Sequence, residues 1–244
     1  MDGWKKIWEE REGLSEEFLK ENENKEICVY AKLKKLDGFD ISVENEEGYK
    51  CFLKEFEMMF EIMQKLTSDK GQIRSVYEVG CGSGANLYLF NNRIEGFCGG
   101  GIDYSRKQIE TVRTVFAGME DFTCGEAIEL GTEIKYDVVM SESVFQYFSS
   151  EAYAKTVVEK MIEKADKLVY IGEICDIVYE EEQMNARRQK IENYDELYKG
   201  LGRRFYSRGF FGEIADKHGK NILYTECENE EYINGEYMFN CYIY

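Results

Sequence analysis

The stretch Val76-Tyr77-Glu78-Val79-Gly80-Cys81-Gly82-Ser83-Gly84-Ala85-Asn86-Leu87 decides the fold. It opens as a short apolar strand over residues 75–79, interrupted by one carboxylate. It then turns through glycines at alternate positions and enters the helical pattern Ala85-Asn86-Leu87-Tyr88-Leu89-Phe90. Glycines at a strand-to-helix turn let a ligand press against bare backbone, and the new helix offers its free N–H groups. The carboxyl edge of a parallel sheet, holding a nucleotide-like ligand, is the expectation.

Two ligands fit this turn. Read as Gly80-x-Gly82-x-x-Ala85, it matches a dinucleotide fingerprint with the permitted final alanine. Read as Glu78-x-Gly80-x-Gly82-x-Gly84, it resembles motif I of the class I S-adenosylmethionine (SAM)-dependent methyltransferases. Glu78 favours the second reading. A carboxylate at the strand tip repels a pyrophosphate but attracts the ammonium of a methionyl group.

Composition narrows the partners. A formal charge of −17 disfavours a nucleic-acid backbone and an anionic membrane surface, both of which need basic residues. No apolar run is long enough for a membrane span, and the N-terminus shows no signal-peptide core, so a cytoplasmic protein is expected. The eight cysteines are scattered without a C-x-x-C pair, so free thiols are expected rather than a disulfide framework or a metal site.

Outward from the glycine turn, strand and helix alternate. Upstream, helices are expected over 26–36, stopped at Gly38, and over 46–67, where Tyr49, Phe52, Leu53, Phe56, Met59, Phe60, Met63 and Leu66 recur at helical spacing. Downstream, strands are expected over 96–102, 121–124, 136–140 and 167–171. Helices follow Ser105 and Ser150. A charged segment over 179–200 and residues 210–218 read as helical. A polar connection over 228–236 joins strands 221–227 and 237–244, which should pair antiparallel because no helix lies between them.

This order resembles the whole class I methyltransferase domain. Glu78 and the glycines come first, then Asp103 ending the second strand, then Cys124-Gly125-Glu126-Ala127, then Ser141-Glu142-Ser143-Val144-Phe145-Gln146-Tyr147-Phe148. The resemblance implies an α/β, Rossmann-like, seven-stranded and mostly parallel sheet with an antiparallel last strand. Residues 71–244 would form the SAM-binding domain and residues 1–70 a helical cap over the substrate.

For the cofactor, the resemblance implicates Glu78, Gly80, Cys81, Gly82, Asn86, Asp103, Tyr104, Ile109, Glu126, Ala127 and Ser141. Asp103 would accept both ribose hydroxyls, which the two oxygens of a carboxylate can do. Glu126 would accept the adenine amino group beside the Ala127 N–H, and Tyr104 and Ile109 would wall the ring. Catalytic candidates are Glu142, Tyr147 and Glu173. Candidate substrate contacts are Trp8, Phe39, Tyr147, Asp176 and Tyr206. His218, the only histidine, falls at the end of a helix opposite the active edge and is read as a helix-end residue. Arg187-Arg188 and Arg203-Arg204 read as solvated positions rather than anion sites.

The expected activity is methyl transfer from SAM, leaving S-adenosylhomocysteine (SAH), to an oxygen or nitrogen of a small molecule such as a sugar or secondary metabolite. No metal is called for. An NAD(P)-dependent oxidoreductase, and a SAM-binding protein without turnover, stand as the rival readings.

Overall fold

The computed structural model describes residues 3–39, 46–227 and 234–244. Helices α1 (Gly3–Glu9), α2 (Glu16–Glu21), α3 (Glu26–Leu36) and α4 (Glu46–Leu66) precede the first strand. The alternating part runs β1 (Ser75–Val79), α5 (Ala85–Arg93), β2 (Cys98–Asp103), α6 (Arg106–Val115), β3 (Phe122–Cys124), β4 (Tyr136–Glu142), α7 (Glu151–Lys164) and β5 (Ala165–Cys175). It closes with α8 (Glu180–Lys190), α9 (Tyr194–Leu197), α10 (Arg208–Lys217), β6 (Ile222–Glu226) and β7 (Met238–Ile243).

The strands form one seven-stranded sheet in the order β3-β2-β1-β4-β5-β7-β6. β1 pairs parallel with β2 and β4, whereas β7 runs antiparallel to both β5 and β6. The order reverses at β1, so the carboxyl ends of β1 and β4 diverge there and leave a crevice. The connection expected over 228–236 lies largely outside the described residues.

Pleating sends alternate side chains to opposite faces, and each face has its own core. Val76, Val138, Met140, Leu168 and Tyr170 pack under α3, α4 and α5 with Tyr30, Leu33, Phe52, Phe56, Met63 and Phe90. Tyr77, Val79, Val139, Val169 and Ile171 pack under α7 and α10 with Val157, Met161, Phe211 and Ile214. The segment expected as a cap over residues 1–70 therefore divides. Helices α3 and α4 belong to the first core, while α1 reaches over the carboxyl edge.

Local chemistry sets the element ends. Ser105, Ser150 and Ser207 each accept a backbone N–H at the start of α6, α7 and α10. Gly38 follows α3 at φ 89°, a left-handed conformation that a glycine tolerates. Two expectations differ from the fold. The charged segment 179–200 is not one helix but α8 and α9, separated at Asn193, which sits at φ 56°. β5 continues four residues past Ile171 because β7 supplies it with an antiparallel partner. All eight cysteines are free thiols.

Candidate active site

The glycine turn is built from left-handed backbone, with φ 75° at Gly80 and 85° at Gly84. A Cβ at Gly80 would collide with Val144, and one at Gly84 would press on Val112 and Phe116. Glycine therefore allows both the close approach of the β4 loop and the packing of α5 on α6. Gly80 and Cys81 donate their N–H groups to the Ile102 carbonyl, which ties the turn to β2.

Around this turn lies a cavity of about 340 Å³, within the size range of small-molecule sites. One half of it is lined by Glu78, Gly80, Cys81, Gly82, Asn86, Asp103, Tyr104, Glu126 and Ala127, all of them among the residues expected at a cofactor. The Asp103 carboxylate accepts the Gly82 N–H at 3.0 Å and the Ser105 N–H at 2.8 Å. Burial pushes Asp103 up to about 6, against the pull of those two donors. Glu126 caps the turn at 127–129 in a reciprocal pair with Glu129, and it accepts from the Tyr153 hydroxyl at 3.4 Å.

Asn86 bridges two carboxylates, donating to Glu78 Oε1 at 2.8 Å and to Glu142 Oε2 at 2.7 Å. Burial raises both carboxyls above their ordinary range. The other Glu78 oxygen, Oε2, is buried and makes no hydrogen bond among the described residues. An acceptor left without a donor in a pocket wall fits a cationic ligand group such as the methionyl ammonium. The residues present thus fit SAM: Glu78 for the ammonium, Asp103 for the ribose and the 125–127 segment for the adenine.

The other half of the cavity is aromatic and charged. Trp4 and Trp8 of α1 lie 4.8 and 6.3 Å from the Tyr147 ring, centroid to centroid, and Tyr198 lies 5.6 Å from Trp4. Phe39 lines the wall with Lys34 set 4.4 Å above its ring. Glu142, Ser143, Arg11, Arg187 and Arg203 also line it. Lys34 is only 4% exposed. Burial works against its charge, but Tyr30, Glu142, Glu173 and Asp37 outweigh it and keep the ammonium charged.

Five expected site residues are corrected by the fold. Ile109 is buried among the core side chains below α6. Ser141 is fully buried and donates its hydroxyl across the sheet to the Val79 carbonyl at 2.8 Å. Tyr206 is fully buried and donates to the Phe145 carbonyl at 2.9 Å, so it is a core residue. Asp176 caps the turn at 177–179 and faces Arg208 at 3.6 Å. Glu173 does not line the cavity either; it lies behind Ser143 and accepts that hydroxyl.

Sequence reasoning missed several lining residues. Lys34 falls four positions after Tyr30, on the apolar face of α3, and that register was its only signal. Asp37, just after α3, accepts the Ser83 N–H at 2.7 Å and the Ser83 hydroxyl at 2.9 Å. Arg187 and Arg203, read as solvated, line the cavity, and the segment carrying Arg203 is tied to the end of β5 by the Asp176–Tyr206 bridge. His218 ends α10, away from the cavity and 3.8 Å from Glu159.

Residues 76–168 match a family described as a methyltransferase domain. The chain is 32% identical over 113 residues to the nonribosomal peptide synthetase dtxS1 of Metarhizium robertsii, covering 43% of this chain and 1% of that protein. It is 29% identical over 183 residues to the nonribosomal peptide synthetase TES of Alternaria alternata, covering 65% and 3%.

Among solved structures, the plantazolicin methyltransferase BpumL with SAH superposes with a TM-score of 0.59 at 16% identity, over 93% of this chain and 97% of that one. SAM-bound CalS10, an amino pentose methyltransferase from Micromonospora echinaspora, gives 0.55 at 11% identity over 78% and 91%. The small RNA methyltransferase HEN1 gives 0.56 at 13% identity over 77% and 24%. With the sheet order, the glycine turn and the acidic end of β2 in place, residues 76–168 carry a methyltransferase domain, on a fold that the chain shares with these SAM- and SAH-bound enzymes.

Proposed function

We propose that this chain methylates a nitrogen or oxygen of a small organic molecule, a sugar or a secondary metabolite. The observation that carries this reading is one continuous cavity joining Glu78 and Asp103 to the Trp4–Tyr147 wall and to Glu142. Bound SAM supplies an activated methyl group. The protein's own work is to hold the acceptor in line and to exclude water. Glu78 and Asp103 anchor the two ends of the cofactor, Trp4, Trp8 and Tyr147 offer flat apolar faces, and Glu142 stands at the junction of the two halves.

The small-molecule reading is supported by the plantazolicin and amino pentose enzymes among the structural relatives, and by the peptide synthetases among the sequence relatives. The fold alone does not discriminate, since an RNA methyltransferase shares it. The formal charge of −17 weighs against a polyanionic acceptor. Among the described residues, no helix is long and apolar enough to cross a membrane. We also propose that α1 serves as a lid: its Trp4 is 7% exposed against the cavity wall, and closure there shields the reacting methyl.

The test is a mass-spectrometric assay with SAM and three probes: glucosamine, alanyl-alanine and catechol. SAH formation with a product 14 Da heavier than one probe is expected. Binding of SAH without turnover of any probe would favour the non-catalytic reading for these acceptor classes. Binding of NAD in place of SAH would overturn the assignment.

A further inference from the structure

Among the described residues, only three non-glycine positions have left-handed backbone, and two of them touch: Ser143 at φ 57° and Glu173 at φ 54°. Such conformations cost about 1–3 kcal/mol each and persist where surrounding structure holds them. Here the holding is visible. The Ser143 N–H donates to the Gly172 carbonyl at 3.2 Å, and its own carbonyl accepts from Gln146 at 2.7 Å. At Glu173, β5 bulges: the pair Gly172-Glu173 faces the single residue Asn240 of β7, whose side chain accepts the Glu173 N–H at 2.9 Å. A bulge of this kind re-aims a side chain.

The re-aimed carboxylate meets the Ser143 hydroxyl, which donates to Glu173 Oε2. Ser143 lines the cavity beside Glu142, Val144 and Tyr147. Glu173 is 1% exposed, and its second oxygen, Oε1, has no hydrogen-bond partner among the described residues. A buried carboxylate with an idle oxygen, bonded to a cavity hydroxyl on a left-handed backbone, is costly to maintain for packing alone.

We propose that Ser143 is the catalytic proton acceptor of the transfer and that Glu173 acts through it as the proton's destination. The proposal rests on the methyltransferase reading above. The acceptor's lone pair forms a bond to the methyl carbon as the carbon–sulfur bond breaks, its electrons passing to sulfur. The acceptor's proton moves to Ser143 Oγ while the hydroxyl proton moves to Glu173 Oε2. The products are the methylated acceptor, SAH and a protonated Glu173, which later releases the proton to solvent.

Glu173 is faced by Glu142 from β4, Lys34 from α3, Glu55 from α4 and Cys227 after β6, the ligand-type atoms of Glu55 and Cys227 coming within 4.8 Å. Burial, then Glu142, raises its carboxyl well above the ordinary range, while Lys34 opposes them. The pair should therefore gain its accepting form as pH rises.

Calorimetry with SAH and with sinefungin, the analogue carrying an amine where SAM carries its methyl, tests this without knowledge of the acceptor. In the wild type, preference for sinefungin over SAH should grow with pH. Glu173→Gln should cut that preference by about tenfold, the size of one charge-assisted hydrogen bond, and flatten its pH dependence with the SAH Kd unchanged. Ser143→Gly should do the same without lowering the melting temperature, because glycine accepts φ 57° freely. A wild-type preference retained by both variants would show that the pair is only structural. Failure of SAH to bind the wild type would instead overturn the methyltransferase reading.

Discussion

The two halves of the cavity are made differently. The cofactor half is assembled from strand ends and the turns that follow them, so Glu78, Gly80, Asp103 and Ala127 each sit within a short, recognisable run. The acceptor half gathers Trp4 from α1, Lys34 from α3, Ser143 from the β4 loop, Arg187 from α8 and Arg203 from the strap before α10. The difference teaches that a ligand common to a family is met by local motifs. An acceptor particular to one chain is met by residues that only tertiary packing brings together.

That contrast can be broken by truncation. Removing residues 1–45 takes Tyr30 and Leu33 out of the first core and should leave no cooperative melting transition. Removing residues 1–10 takes away Trp4 and Trp8 but no strand or core helix. The shorter truncation should stay folded and bind SAH, while methyl transfer is lost. Normal turnover by it would refute the lid.

Tyr206→Ala should cost about 3–5 kcal/mol of stability, as for other fully buried aromatic side chains. Tyr206→Phe should lose only about 1 kcal/mol, for the bond to the Phe145 carbonyl. A denaturant titration checks both. An acceptor-binding defect in Tyr206→Phe at full stability would return this residue to the acceptor half.

On the cofactor side, Asp103→Ala should weaken SAH by about 1–3 kcal/mol through lost charge-assisted hydrogen bonds. Undiminished binding by calorimetry would place the ribose elsewhere. The loss is expected because Asp103 already has its carboxylate fixed by Gly82 and Ser105.

Stability should also depend on pH. Burial pushes Asp37 up to about 7 and Asp103 up to about 6, from the ordinary 3.8. Both hold protons in the folded chain at pH values where the unfolded chain has released them. Stability contributed this way is greatest below the unfolded pKa and declines as pH rises from about 4 to 7, by several kcal/mol at most. Melting temperatures between pH 5 and 8 should fall accordingly; a rise would show that both carboxyls are better solvated than the fold implies. The smallest effect belongs to His218→Ala, at most about 1 kcal/mol at the end of α10, with SAH affinity unchanged.

Much of the framework was legible in the sequence because it rests on local chemistry: serine caps at α6 and α7, the stop at Gly38 and the glycine turn itself. Asp176 and Tyr206 were misplaced for a different reason. The apolar run predicts the end of β5 at Ile171, but pairing with β7, distant in sequence, carries the strand on to Cys175 and bulges it at Glu173. The same pairing turns Asp176 toward Arg208 and buries Tyr206. Ser143 gave no signal, because a left-handed serine looks like any other until its backbone is seen.

The central claim, that this crevice holds SAM rather than a dinucleotide, is tested most directly by titrating SAH and NAD separately into the purified chain by calorimetry. Saturable one-to-one binding of SAH, weakened in Asp103→Ala and not matched by NAD, is the result predicted. Binding of NAD with no heat from SAH would contradict the account.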